Sequence, residues 1–160
     1  MTPDVQSIAV TLRNGGLAVM QFVTRNEFGS RQATDQAVAA EIAKARLNAV
    51  SWRRMTPDEI PADRAFRAAW RDTGVITVDM TMARRIHCDH LRALREPKLS
   101  ELDLAYWRAS EVGNDKAKAK IIAEKQALRA ATEDPSISIA ETPEELAAAI
   151  PAVLTRKYTG

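Results

Sequence analysis

The sequence predicts an α+β fold: a small N-terminal head that contains a β-hairpin, followed by an antiparallel helical hairpin. Three observations carry this. Ile8, Val10 and Leu12 alternate with Ala9, Thr11 and Arg13, and Asn14-Gly15-Gly16 follows, which reads as a strand entering a tight turn. From Met80 to about Val112, apolar residues recur at three- and four-residue intervals, the spacing of a helix with one buried face. A short Gly113-Asn114-Asp115 connection then leads into a second amphipathic run, as in two helices packed side by side.

Composition suits this reading. The chain has 160 residues, 46% apolar and 28% charged, which fits one domain or two small ones. Alanine supplies 28 residues, while Leu, Ile, Val and Phe together supply 34. That is enough for a lean core and favours helices that approach closely. No apolar run has the length of a membrane span, and the N-terminal stretch lacks the basic and apolar regions of a signal peptide. A single cysteine excludes an intramolecular disulfide and a Cys-only zinc site. The net charge of +2 is too small to argue for nucleic acid. It is uneven, net +4 over residues 1–95 and net −2 over residues 96–160, an asymmetry that a solvated surface explains and that head-to-tail contacts between subunits would also use.

In the head (1–79), the hairpin spans residues 5–25. Its second strand, Leu17 to Arg25, is apolar on both faces, with Val19 and Val23 on one and Met20 and Phe22 on the other. Either it is covered twice or one face meets another chain, and an isolated hairpin is marginal in water. Residues 26–33 read as a loop. Thr34 is positioned to cap a short helix through Ala45. Ala49 to Met55 reads as a strand with Val50 and Trp52 on one face. Thr56-Pro57-Asp58-Glu59 is a capped helix start that Pro61 cuts short. Asp63 would cap a further helix, Arg64 to Arg71, burying Phe66, Ala69 and Trp70, with Gly74 as its stop and Val75–Val78 as a strand.

The helical hairpin (80–132) begins after Asp79, a candidate cap. Its stripe comprises Ile86, Leu91, Leu94, Leu99, Leu102, Ala105, Tyr106 and Ala109, and Pro97 should kink or split the helix. The second helix, from about Asp115 to Ala131, places Ala117, Ile121, Leu128 and Ala131 together. In the last segment (133–160), Asp134-Pro135 ends that helix and Ser136–Ala140 reads as extended. Thr142-Pro143-Glu144-Glu145 then starts a short helix to about Ile150, and residues 152–160 form a tail.

Catalytic signals are weak. His87-Cys88-Asp89-His90 places two imidazoles at i and i+3, a spacing able to hold Zn²⁺, but no third histidine exists. Cys88 as a nucleophile would need an imidazole that reaches its sulfur, and His87 is poorly placed for this because helix neighbours point about 100° apart. No phosphate-cradling glycine motif and no nucleophile elbow occurs. No catalytic residue, cofactor or metal is therefore assigned. The basic residues Arg84, Arg85, Arg92, Arg95 and Lys98 are interspersed with acids and read as a solvated helix face, as do Lys116, Lys118 and Lys120. Trp52, Trp70 and Trp107 are three of only eight aromatics. They read as core anchors, or as subunit contacts. Trp107 follows Tyr106 on a helix with a leucine stripe, so one of the two must leave that stripe. Phe22, Trp52, Trp70, Tyr106 and Trp107 are the protein-contact candidates, and the two-faced strand suits pairing with a partner's strand.

An ordered set of motifs runs from Pro61 onward. It comprises P-A-D-R-x-F-R-x-A-W (Pro61 to Trp70), I-T-V-D-M (Ile76 to Met80), A-R-x-I-H (Ala83 to His87), L-R-x-x-R (Leu91 to Arg95) and L-D-x-x-Y (Leu102 to Tyr106). K-Q-x-L-R-x-x-T-x-D-P (Lys125 to Pro135), T-P-E-E-L and I-P follow. Over about 100 of the 160 residues this resembles small proteins encoded beside tail-fibre genes in tailed bacteriophages. The second helix also resembles the end of phage tail-assembly chaperones. The resemblance implies a tail or fibre setting and no catalytic residues. The expected function is a non-enzymatic virion protein of the tail or tail fibre, whose partners are itself, as a homo-oligomer, and phage tail or fibre proteins, with neither nucleic acid nor membrane. The alternative is a tail-fibre assembly chaperone absent from the mature particle. A metal or enzymatic role at His87, Cys88 and His90 ranks third.

Overall fold

The computed structural model describes residues 4–24 and 33–155, and the chain divides into two compact units, Met1–Asp79 and Met80–Gly160. The fold is α+β. In the first unit, β1 (Asp4–Leu12) and β2 (Leu17–Thr24) form the hairpin. Its turn needs a left-handed residue, and Gly15 supplies it at φ +78°, while the Gly16 N–H donates to Asn14 Oδ1 at 2.9 Å. β3 (Ala49–Met55) pairs antiparallel with β1 on its other side, giving the order β2-β1-β3. The side chain of Val23, Arg25 and most of the expected loop lie outside the described residues.

Helix α1 (Asp35–Lys44) starts where Thr34 Oγ1 accepts the Ala37 N–H at 3.2 Å. Its inward residues Val38 and Ile42 meet Ile8 and Val10, and Ala18, Met20 and Phe22 from β2 pack onto the same cluster. Period two thus delivers one face of the hairpin to α1. The other face takes the segment after β3, and β4 (Trp70–Asp72) lies against both β1 and β2. Within this unit, then, both faces of β2 have neighbours.

Two expectations for the head are corrected. Val50 does not share a face with Trp52: Ala49 pairs with Leu12 and Ser51 with Thr11, so Val50 is the extra residue of a bulge and is exposed. The bulge returns Ala49 and Trp52 to one side, both against the core. The Arg64–Arg71 segment is not a helix. Asp63 Oδ1 accepts the Ala65 N–H, Arg67–Ala69 make a single 3₁₀ turn, and Trp70 opens β4, which pairs with β5 (Ile76–Val78) across a turn at Gly74, φ +97°. Phe66, Ala69 and Trp70 are buried. Their helix-like spacing arises from a turn followed by a strand.

In the second unit, α2 (Met80–Glu111) and α3 (Asp115–Ala130) run antiparallel: Arg95 reaches Arg129 while Asp103, further along α2, reaches Lys125. Gly113 turns the chain at φ +65°, and Asn114 Oδ1 caps α3 by accepting the Ala117 N–H at 3.0 Å. Pro97 does not split α2, which is one element of 32 residues. The carbonyl that Pro97 leaves without its helical donor belongs to Ala93, and both residues are exposed, so water can serve it.

The inward stripe of α2 is Ala83, His87, Leu91, Leu102 and Ala109, with half-buried Arg95, Lys98 and Tyr106 filling the intervening three- and four-residue steps. Leu94, placed on the stripe by the sequence, is exposed. After α3, three short helices follow: α4 (Pro135–Ile139), α5 (Pro143–Ala148) and α6 (Ala152–Thr155). Ser136–Ala140 is therefore helical rather than extended. Asp134 caps it by accepting the Ser136 N–H at 2.9 Å, and Pro135 occupies the first helical position. Thr142 and Glu145 form the expected reciprocal cap on α5. Residues Ala152–Thr155, read from sequence as tail, form α6, and residues 156–160 lie outside the described residues.

Candidate protein-docking surfaces

Rotation about α2 decides which of its large side chains remain free. With Leu102 and Ala109 turned inward, residues half a turn away face outward. There Leu104 is 53% exposed and Trp107 is 68% exposed. An indole left that open in a unit with a lean core is unusual, because burying it is worth several times what burying an alanine is. Tyr106 stays with the stripe. It is half-buried, and the Lys125 ammonium sits 5.7 Å from its ring centre while pairing with Asp103.

The remaining candidates are occupied within the head. Phe22 and Trp52 are half-buried against the α1 core. The Arg54 guanidinium lies 5.6 Å from the Trp52 ring centre and also binds Asp35 and the Ala33 carbonyl. Trp70 is 5% exposed. Of the five aromatics singled out by sequence, only Trp107 presents most of its surface outward.

The basic residues of α2 do something their pattern does not announce. Arg84 Nε donates to the Ile137 carbonyl at 3.2 Å and its Nη2 to Ala140 at 2.8 Å, both at the end of α4. His87 Nε2 lies 2.9 Å from the Ala149 carbonyl at the end of α5. A carbonyl can only accept, so Nε2 carries the proton. Arg95 Nη1 donates to Arg129 in the last turn of α3 at 2.9 Å, and the Lys98 ammonium donates to Leu154 in α6. Four donors on one helix thus meet the C-terminal carbonyls of four others, groups a helix leaves without partners and toward which cations are drawn. Arg84, Arg95 and Lys98 are anchors rather than a solvated face; Arg92 remains outside, paired with Asp89.

This also settles the geometry of the histidine-cysteine stretch. His87 is buried and His90 exposed, so the two imidazoles do not converge. Cys88 Sγ lies 3.9 Å from the Thr132 carbonyl. Among the described residues, no three His, Cys, Asp or Glu side chains gather as metal ligands, and no helix is long and apolar enough to cross a membrane.

The head holds a second feature that sequence reading missed. Arg53 Nε lies 3.0 Å from both Asp72 carboxylate oxygens, and its Nη1 is 2.6 Å from Glu59 Oε2, tying β3 to β4 and to the Pro57–Glu59 turn. The Thr56 N–H and, next, Arg53 hold the Glu59 carboxyl below its usual range, and these carboxylates raise the Arg53 guanidinium in return. Arg71 pairs with Asp79 at 3.2 Å. By contrast, Arg64 and Arg67 make no side-chain ion pair or hydrogen bond among the described residues. Both border a cleft of about 360 Å³ beside β2, lined also by Leu17, Val19, Ile60 and Trp70. Neither residue stands out in sequence, because the arginines they differ from are paired only in three dimensions.

No protein-family model, curated protein or solved structure matches this chain.

Proposed function

We propose that this chain is a non-enzymatic structural protein of a tailed-bacteriophage tail or tail fibre, which docks onto copies of itself and onto tail or fibre proteins. The observation that carries the docking part is the outward face of α2, where Leu104 and Trp107 are open while the opposite face of the same helix is fully used. Tryptophan is the residue most enriched among those that dominate binding energy at interfaces. The phage setting is supported by the ordered motifs from Pro61 to Pro151.

Trp107→Glu is the test. Its side chain touches solvent, so helix content by circular dichroism should match the parent. Self-association measured by light scattering, or incorporation into particles, should weaken by about 2–4 kcal/mol, the range of an interface tryptophan. Unchanged assembly would remove this face from the proposal. Quantitative mass spectrometry of purified particles against infected-cell lysate decides the setting. Stoichiometric copies in particles support a virion component; abundance in lysate alone makes the protein an assembly chaperone.

A further inference from the structure

We propose that the cleft beside β2 receives an extended acidic segment of a partner protein, which adds to the head sheet as a fourth strand on β2 and places its carboxylates on Arg64 and Arg67. The cleft belongs to the head and Trp107 to the helical unit, and the proposal does not depend on the Trp107 face.

Three observations lead here. First, β2 is an edge strand of the order β2-β1-β3, so alternate N–H and C=O groups point away from β1, and among the described residues no other strand or loop bonds to them. Such an edge is a template for strand addition. Between Leu17 and Thr24 it also has no proline, no lysine and no inward charge, three of the devices that blunt an edge. Second, the cleft runs along this strand on the face away from α1. Leu17, Val19, Ile60 and Trp70 give it an apolar lining, with Gln21 beside them. Alternate side chains of an added strand would enter it. Third, the charges that the described residues place at its rim are of one sign and unpaired among those residues. Arg53, Arg54 and Arg71 are each matched to carboxylates, while Arg64 and Arg67 are both exposed and have none among the described residues. The nearest carboxylate in sequence, Asp63, is turned onto the Ala65 N–H at 2.8 Å.

The charge also chooses the occupant. A second copy of this head, joined edge to edge through β2, would bring two pairs of unpaired guanidiniums toward one another. Like charges at an interface oppose association, whereas a carboxylate-bearing strand is matched by bidentate guanidinium contacts. An acidic partner therefore fits where a symmetric sheet dimer does not.

The test uses the full chain and fluorescence anisotropy with labelled peptides of about eight residues, the length of β2. One alternates Glu and Val, one alternates Lys and Val, and a third is the Glu–Val peptide N-methylated at every second residue, which cannot complete a ladder. The Glu–Val peptide should bind at least about tenfold more tightly than the other two, and its affinity should fall with salt. Arg64→Glu combined with Arg67→Glu should abolish that preference. Both positions are exposed, so the variant should retain the parent's fold, checked by circular dichroism. Trp107→Glu should leave peptide binding unchanged, which separates this cleft from the α2 face. Equal binding of the Glu–Val and Lys–Val peptides, full binding by the N-methylated peptide, or no binding to the parent at millimolar peptide would each overturn the proposal. So would a double variant that binds as well as the parent.

Discussion

In the head, Arg53, Arg54 and Arg71 face carboxylates; in the helical unit, Arg84, His87, Arg95 and Lys98 face backbone carbonyls. The difference follows from what each unit has to satisfy. A sheet consumes its own backbone groups in ladders, so each of these arginines finds a side-chain carboxylate, with carbonyls such as that of Ala33 as additional acceptors. Six helices and turns packed in a short stretch create many open C-terminal carbonyls, which draw in whatever cations lie nearby. The bookkeeping of satisfied groups differs too. The described buried side-chain atoms without a hydrogen-bond partner are Ser7 Oγ, Arg53 Nη2 and Arg54 Nη1, all in the head. Carboxylate pairing is sensitive to acid and leaves spare guanidinium nitrogens. Carbonyl anchoring is neither titratable at the acceptor nor short of partners.

The sharpest way to break this contrast is Arg53→Met. The Asp72 side chain is only 9% exposed, so the substitution leaves a nearly buried carboxylate without its cation. A loss of about 2–3 kcal/mol is expected, less than for a fully buried pair because Arg53 itself is partly in solvent. In a Trp107→Phe background the remaining tryptophans, Trp52 and Trp70, both report on the head, so fluorescence-detected urea unfolding reads this loss directly. The acid response should change in step. Glu59 has a folded pKa below its ordinary value, so the unfolded chain binds the proton more readily. The stability Glu59 contributes is complete above the unfolded pKa of about 4.5 and disappears as pH falls through the lower, folded value. Arg53→Met should flatten this acid dependence without erasing it, because the Thr56 N–H, the larger influence, remains. An unaltered slope between neutral pH and pH 3 would show that the Arg53–Glu59 contact does not form in solution.

The matching experiment in the helical unit is Arg84→Met beside Arg84→Lys. Methionine keeps the apolar stem but removes both hydrogen bonds to the end of α4, for an expected cost of about 1–2 kcal/mol in helix unfolding followed at 222 nm. Lysine restores the charge but cannot bridge Ile137 and Ala140 with a fixed fork, so it should recover only part. Neither variant should alter the acid slope of the head. If Arg84→Lys were as stable as the parent, the guanidinium geometry would be irrelevant and charge alone would anchor α4.

How much of this is legible in the sequence depends on whether the signal is local. The first hairpin is, because the strand alternation and the Asn14-Gly15-Gly16 turn are adjacent in sequence. So are α1, the long helix and the Thr142–Glu145 cap, each fixed by neighbours three or four residues away. The β4–β5 hairpin is not, since Phe66, Ala69 and Trp70 mimic a helical stripe in a segment too short to show a second turn. Ser136-Ile137-Ser138-Ile139 alternates like a strand, yet Asp134-Pro135 carries the same start chemistry as Thr142-Pro143, and that cue outweighs the alternation. Of the candidate site, the exposure of Trp107 could be suspected from its neighbour Tyr106. The anchoring by Arg84, Arg95 and Lys98 could not, because their acceptors lie 34 to 56 residues away. That Arg64 and Arg67 have no ion-pair partner among the described residues is equally non-local, being visible only once the other arginines have found their carboxylates.

The smallest effect expected is also the most direct check on the head's unsatisfied atoms. Ser7 sits on the central strand β1, opposite Gln21 and Met55, and is fully buried. Its hydroxyl has no partner among the described residues. A buried hydroxyl without a hydrogen bond gives up its contacts with water and gains nothing in return. Ser7→Ala removes one oxygen and leaves the Cβ in place, so the packing changes little. The head should become more stable by about 0.5–1 kcal/mol, the reverse of the usual outcome for a core substitution. The same Trp52 and Trp70 fluorescence measures it. A loss of stability instead would mean that Ser7 Oγ has a partner in solution, such as a trapped water, and the head would then be as well satisfied as the helical unit.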